Sequence, residues 1–334
     1  MKNNFKILLF ITMFTLLIVG CGKKDAPVPE NIEEEIVESS PNNNELEYSF
    51  NIAALKGPTA IGLVNMMENQ QNNNYEIFAT PDEVVTKILN QEVDIAAIPA
   101  NLASVLYNKT DGDISVLAIN TLGVLYVVEN GDTIKSIEDL KGKTIYSTGK
   151  GATPEYALNY ILKKAGILND VKIEFKTEHS ELATLLAEGK ADIAILPQPF
   201  VTLAMEKNPN LRIALNLEEE WEKLDNDNNM VTGVLVARNS VIEENKDAIN
   251  DFLDRYKYSV LETGSDLEET SNLVEKYNIL PKEIALKAIP NCNIVYIDGD
   301  DMKKLLSNYL MILNSENPKS IGGKLPDENF YYKE

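Results

Sequence analysis

Histidine, cysteine and positive charge are what this chain has least of, and each shortage argues against a class of function. His179 is its only histidine, which speaks against a histidine-rich zinc site and against a Ser-His-Asp triad. Cys21 and Cys292 are its only cysteines, too few for a disulfide framework. Lys and Arg number 31 against 52 Asp and Glu, and a formal net charge of −21 leaves no basic surface for nucleic acid. Phosphate-cradling motifs are missing as well. Gly149-Lys150-Gly151-Ala152-Thr153 lacks the spacing of a Walker A loop, and no GxGxxG follows a strand. Asp225-Asn226-Asp227-Asn228-Asn229 begins like a calcium loop, but Met230 stands where such a loop needs glycine, so the stretch reads as a polar surface loop. No cofactor and no metal are expected.

What the chain does have is one segment written twice. Residues 83–109 (EVVTKILNQEVDIAAIPANLASVLYNK) align without gaps with residues 181–207 (ELATLLAEGKADIAILPQPFVTLAMEK) at an offset of 98. Each copy reads as helix, turn, short apolar strand and a proline at the strand's end. An earlier glycine turn also matches, Gly57-Pro58-Thr59 with Gly151-Ala152-Thr153. Two similar α/β units follow from this, with a cleft between them of the kind that binds small molecules.

The elements alternate accordingly. Strands are expected over 49–55, 75–79, 93–98, 114–120 and 123–128, then 143–147, 171–176, 211–217 and 231–237. Helices are expected over 60–69, 81–90, 136–140 and 155–165, then 248–261, 267–278, 281–288 and 301–313. Residues 218–229 read as polar apart from Trp221 and Leu224. Such alternation implies mostly parallel sheets flanked by helices. The C-terminal helices have no counterpart in the second unit and are expected to return to the first. Lobe 1 then comprises 48–128 and 232–334, and lobe 2 comprises 129–231. Chain crossings near Tyr126–Gly131 and Asn229–Gly233 would form a hinge.

Lys2 and Lys6 flank an apolar run, Ile7 to Val19, that is short for a membrane span and suits a signal peptide. It ends in Ile18-Val19-Gly20-Cys21, which resembles a bacterial lipobox. The resemblance implies removal of residues 1–20 and lipid attachment at Cys21, and loss of Lys2 and Lys6 takes the charge from −21 to −23. Residues 21–47, rich in Glu, Asn, Pro and Ser, read as a disordered acidic tether with an r.m.s. span of roughly 25–30 Å.

The lipobox, the tether, the two α/β units and SIEDLKGKTIY at 136–146 together resemble the substrate-binding lipoproteins of bacterial ABC importers in the two-crossing periplasmic-binding-protein class. Within it the chain is similar to the nitrate, sulfonate, taurine and thiamine-precursor binders. TGKGATPEYAL (148–158), KADIAILPQPF (190–200) and SIGGKLPDENFYY (320–332) carry the likeness, which covers about residues 48–330. The resemblance implies a two-lobed fold, a solute captured without chemistry between closing lobes, and delivery to an ABC permease driven by a separate ATPase. It further implies a monomer held on the outer face of the cytoplasmic membrane by its lipid alone, in a Gram-positive-type envelope.

Candidate ligand contacts lie where helices begin after strands, because unpaired N–H groups and the helix dipole favour polar or anionic groups there. Lobe 1 offers Lys56, Gly57, Pro58 and Thr59, with Asn101 after the repeated strand. Lobe 2 offers Lys150, Gly151, Ala152 and Thr153, with Gln198 and Phe200. Thr121 and Thr232 flank the crossings. Asp94 and Asp192 are expected to hold backbone at the strand starts, away from the cleft. His179 reads as a surface residue near the cleft mouth. Lys56 and Lys150 lean toward an anion such as a sulfonate or carboxylate, whereas Phe78, Tyr126, Tyr156 and Phe200 lean toward a flat heterocycle such as a pyrimidine. Two other readings stand beside the receptor. The fold also resembles menaquinone-pathway enzymes and pyrimidine synthases, against which the lipobox and the scarcity of His and Cys argue. A sensory or adhesive lipoprotein is the third.

Overall fold

Alternating apolar strands and amphipathic helices build two sheets in this chain. The computed structural model describes residues 48–69, 72–224 and 229–333, all within one compact unit, Asn44–Glu334. The signal segment, Cys21 and the tether lie outside the described residues, as do residues 225–228 of the calcium-like loop. No helix among the described residues is long and apolar enough to cross a membrane.

The first run of elements is β1 (Asn51–Leu55), α1 (Pro58–Ile61), α2 (Val64–Asn69), β2 (Asn74–Phe78), α3 (Pro81–Leu89), β3 (Ile95–Pro99), α4 (Ala100–Lys109) and β4 (Ile114–Thr121). The second is β5 (Leu125–Asn130), β6 (Thr144–Ser147), α5 (Thr153–Lys164), β7 (Lys172–Phe175), α6 (His179–Ala187), β8 (Ile193–Pro197), α7 (Phe200–Lys207), β9 (Leu211–Asn216) and α8 (Leu217–Leu224). The last is β10 (Gly233–Arg238), α9 (Asn239–Glu244), α10 (Lys246–Ser265), α11 (Leu267–Lys276), α12 (Lys282–Ala288), β11 (Ile294–Ile297) and α13 (Gly299–Glu316).

Six strands form one sheet in the order β11-β4-β10-β3-β1-β2, and five form the other in the order β7-β6-β8-β5-β9. Apart from the added β11, the two orders correspond: β2-β1-β3-β10-β4 in one, β7-β6-β8-β5-β9 in the other. In the first sheet β1 pairs parallel with β2 and β3, while β10 runs antiparallel between β3 and β4. In the second, β6 pairs parallel with β7 and β8, while β5 runs antiparallel between β8 and β9. The halves have therefore exchanged a strand. β5 follows β4 in sequence but fills the antiparallel place in the second sheet, and β10 follows the second half but fills that place in the first.

The strand expected over 123–128 forms as β5, but in the second sheet and not in lobe 1. The chain leaves the first sheet after Thr121 and joins the second at Leu125, so it crosses at residues 122–124, upstream of Tyr126–Gly131. It returns between Asn216 and Gly233. Three further elements differ from expectation. Residues 217–224 form a helix, because Leu217, Trp221 and Leu224 share a face at helical spacing and Leu217 and Trp221 are buried on it. β11 adds an antiparallel edge beside β4. The helix expected over 60–69 is broken at Gly62-Leu63 into α1 and α2.

Local signals and packing agree elsewhere. Thr80 and Glu83 close a capping box at the start of α3, with Pro81 in its first turn. Asp94 accepts from Asn51 N–H at 2.9 Å and pairs with Arg238 at 2.7 Å, at the strand-start edge as expected. One apolar cluster joins α3, α4 and α13 to the β5, α5 and α8 side chains. At its centre the ring of Trp221 lies 4.6 Å from that of Tyr160 and 5.8 Å from that of Tyr309.

Candidate functional site

The repeated strands β3 and β8 both end in proline, and the next backbone N–H does the same work in each lobe. Ala100 N–H donates to Thr232 O at 3.2 Å, and Gln198 N–H donates to Val124 O at 3.0 Å. Ala100 and Gln198 are 98 residues apart, the offset of the repeat, and their acceptors are the residues immediately before β10 and β5. Each repeat thus holds the crossing segment that delivers its own sheet's antiparallel strand. Thr232 N–H also donates to Thr121 O at 3.0 Å, so the two crossings run side by side at the floor of the cleft.

Lobe 1 presents the ends of β1 and β3 to this floor. Gly57 is the N-cap of α1 with Pro58 behind it, and Lys56 stands exposed at the rim. The Thr59 hydroxyl turns back to donate to Leu55 O at 2.9 Å, satisfying its own turn. Asn101 donates to Ser320 O at 3.2 Å and accepts from the Thr153 hydroxyl at 3.3 Å. That last bond spans the cleft, and it joins two residues from the expected set. Thr121 donates to Asn120 Oδ1 at 3.1 Å, and Thr232 donates to Leu122 O.

Lobe 2 answers with the ends of β6 and β8. The Gly151 N–H, expected to be a free donor, is taken at 2.5 Å by the carboxylate of Glu155 in the first turn of α5. A side chain of the same helix occupies the position imagined for a ligand anion. Ala152 N–H donates to Gly149 O, closing the glycine turn. Lys150 is exposed and its ammonium sits 5.9 Å from the Phe175 ring centre. Gln198 is buried, and its side-chain oxygen accepts from the Thr202 hydroxyl at 2.9 Å.

His179 departs from the surface role expected of it. Its Nδ1 lies 2.5 Å from the Thr148 hydroxyl, and its ring meets that of Phe200 at 5.1 Å with a 38° tilt. Thr148 follows β6, His179 opens α6 and Phe200 opens α7, so the three meet at the cleft edge of the second sheet. Burial pushes the imidazole down to about 4, which keeps it neutral at physiological pH. The repeat offset places His179 opposite Pro81, and that was the signal available for it.

Several residues at the crossings carry no sequence signal. Asn120 is buried, and its side-chain nitrogen completes no hydrogen bond of good geometry, although it faces the Tyr256 hydroxyl. Its oxygen lies against Gly233, where a Cβ would overlap it and approach Thr59 Cγ2 to 2.9 Å. On the other side, Glu218 is buried with its carboxylate against Gly123, accepting from Asn229 Nδ2 at 2.9 Å and Met230 N–H at 3.1 Å. Burial raises its pKa to about 7, against those two hydrogen bonds and with help from neighbouring Glu222. Lobe-to-lobe contacts around the cleft include Tyr126 OH to Asn291 O at 3.0 Å, Lys287 to Glu206 at 2.6 Å and Lys163 to Glu316 at 2.9 Å.

Comparison with known proteins places this geometry. The family model described as the phosphonate-binding periplasmic substrate-binding protein of ABC transporters matches residues 62–281. A Brucella abortus protein named only as a binding protein is 27% identical over 179 residues, 53% of this chain, and the match spans 52% of that relative's length. An ABC transporter structure from Parabacteroides distasonis superposes with a TM-score of 0.74 at 26% identity, covering 85% of this chain and 99% of that one. The periplasmic aliphatic sulphonate-binding protein of Escherichia coli gives 0.69 at 16% identity, over 85% of this chain and 92% of that one, a likeness of fold.

Proposed function

Because this chain belongs to the family of periplasmic phosphonate-binding, substrate-binding proteins of ABC transporters, we propose that it captures a small solute between its two lobes and hands it to a permease powered by a separate ATPase. The observation that carries this reading is the Asn101–Thr153 bond across the cleft, above a floor made of the two crossings. Two crossings side by side permit one lobe to rotate on the other, and a solute touching both edges would favour the closed arrangement.

The contact set for that solute is Lys56, Gly57, Pro58, Thr59, Asn101 and Thr121 from lobe 1. Lobe 2 adds Lys150, Gly151, Ala152, Thr153, Gln198 and Phe200, with Thr232 on the return crossing. To these His179 and Thr148 are added on geometry. Lobe 1 is taken as 48–121 with 233–334, and lobe 2 as 125–216 with α8. We read no chemistry on the solute. The thiol of Cys292 is buried and pushed up to about 12, and His179 is held far below neutrality, so neither is poised as a nucleophile or a general base. The protein acts as a monomer on the outer face of the cytoplasmic membrane, held by a lipid on Cys21.

The test uses small molecules from the growth medium of the producing cells. At least one should raise the Tm of the purified full chain, with a stabilisation of about 2.7 kcal/mol at 100 times its Kd. Uptake of that compound should vanish on deletion of the gene and return with the intact chain, but only weakly with Cys21→Ser. Undiminished uptake in the deletion strain would remove the receptor reading.

A further inference from the structure

Resting on that receptor reading, we infer that the cleft takes a planar heterocyclic solute carrying hydrogen-bonding nitrogen or oxygen atoms and at most one charge, not a phosphonate or sulfonate headgroup. The first ground is where the guanidinium groups are. The chain has three arginines, Arg212, Arg238 and Arg255. Arg212 is bound to Glu129 at 2.6 Å, Arg238 to Asp94 at 2.7 Å and Arg255 to Asp251 at 2.5 Å. Arg212 sits at the edge where β8 and β9 start and β5 ends, Arg238 at the edge where β3 starts, and Arg255 within α10, so none opens on the cleft. Bidentate recognition of a tetrahedral oxyanion, the strongest such contact a protein side chain makes, is therefore not offered here.

The second ground is charge at the donors themselves. The Gly151 N–H that would meet an oxyanion already holds the Glu155 carboxylate, a like charge at 2.5 Å. Lys150 and Lys176, the ammonium groups on this edge, sit over the rings of Phe175 and Tyr146 at 5.9 and 5.6 Å. A compact oxyanion headgroup placed among these groups, sulfonate or phosphonate, would lose its hydration without gaining matched partners, the phosphonate dianion most of all.

The third ground is what the edge does present. His179 and Phe200 form a tilted ring pair, with the Thr148 hydroxyl on the imidazole and the buried Gln198 amide two residues from Phe200. Two rings, one of them an uncharged imidazole held in place by the buried Thr148 hydroxyl, suit a flat solute whose faces need an apolar partner and whose heteroatoms need a directional one.

The full chain is tested at low ionic strength by thermal shift and calorimetry against two panels. One holds cytosine, nicotinamide and nicotinate, and the other methylphosphonate, methanesulfonate and nitrate. At least one heterocycle is expected to bind more tightly than every oxyanion. Phe200→Leu, which retains apolar packing at α7, should weaken that binding about three- to tenfold, and His179→Gln should do likewise. Tighter binding of methylphosphonate or methanesulfonate overturns the inference and leaves the receptor reading in place. So does heterocycle binding indifferent to both substitutions. Silence of both panels also overturns it, and the receptor reading is then decided by the uptake experiment alone.

Discussion

The two lobes share a strand order and a way of gripping the crossings, but they differ in what lies behind each crossing. Behind the return crossing, the Asn120 amide packs on Gly233 beside Thr59 and Thr121, all uncharged. Behind the outgoing crossing, the buried Glu218 carboxylate packs on Gly123 and is held by Asn229 and Met230. Equivalent backbone geometry has been secured with an amide on one side and an ionisable acid on the other. Repetition therefore dictates the strand ends that grip the crossings, while the backing of the crossings is free to diverge. The divergent side is also the one with the single tryptophan, which ties α8 to α5 and α13.

The largest effect is expected where that divergence is greatest. Trp221→Ala removes a fully buried ring from between Tyr160 and Tyr309 and should cost about 3–5 kcal/mol in urea unfolding. A loss under about 1 kcal/mol would mean the lobes are not joined through this residue.

Next comes the acid. Glu218 has its pKa raised from 4.5 to about 7, so the folded state holds a proton that the unfolded chain releases. The associated stability is complete below pH 4.5 and is lost as pH climbs through 7. His179, lowered from 6.5 to about 4, acts in the opposite sense and costs stability as pH falls from 6.5 through 4. The clean measurement is the difference between Glu218→Gln and the parent chain. It should shift in favour of the variant, on the order of 3 kcal/mol, between pH 4.5 and 7. A flat difference curve would show that the carboxylate is solvated after all.

Gly233→Ala forces a methyl group against Asn120 and Thr59 at the start of a strand paired on both sides, and about 2 kcal/mol of destabilisation is expected. Gly123→Ala meets the held Glu218 carboxylate and Met230 Cε, so its loss should be relieved in part in a Glu218→Ala background. No relief in that background would erase the distinction between the crossings. The smallest effect belongs to the rim. Lys287 and Glu206 are both about half exposed, so their double-mutant coupling should stay below about 1 kcal/mol and fade with salt.

Much of this was legible in the residues. The offset of 98 located α3-β3-α4 and α6-β8-α7, including the proline ends whose following N–H groups hold the crossings. The exchange of β5 and β10 was not legible, because Leu125–Asn130 is apolar enough to be buried in either sheet and strand partners are set by distant segments. Helix α8 was hidden by its acidic face, although Leu217, Trp221 and Leu224 stand at helical spacing. Glu218 could not be singled out within Glu218-Glu219-Glu220, since only packing decides which of three adjacent acids is buried. Of the expected contacts, Asn101 and Thr153 meet across the cleft, whereas the Gly151 N–H and the Thr59 hydroxyl are engaged within their own turns.

The traded strands also constrain how the polypeptide can be made. A nascent chain that has reached residue 130 has four strands of its first sheet but lacks the one that must slot between β3 and β4, which arrives more than a hundred residues later. Neither half can finish alone, so a gene split after residue 130 should yield two incompetent fragments that acquire cooperative unfolding only when mixed.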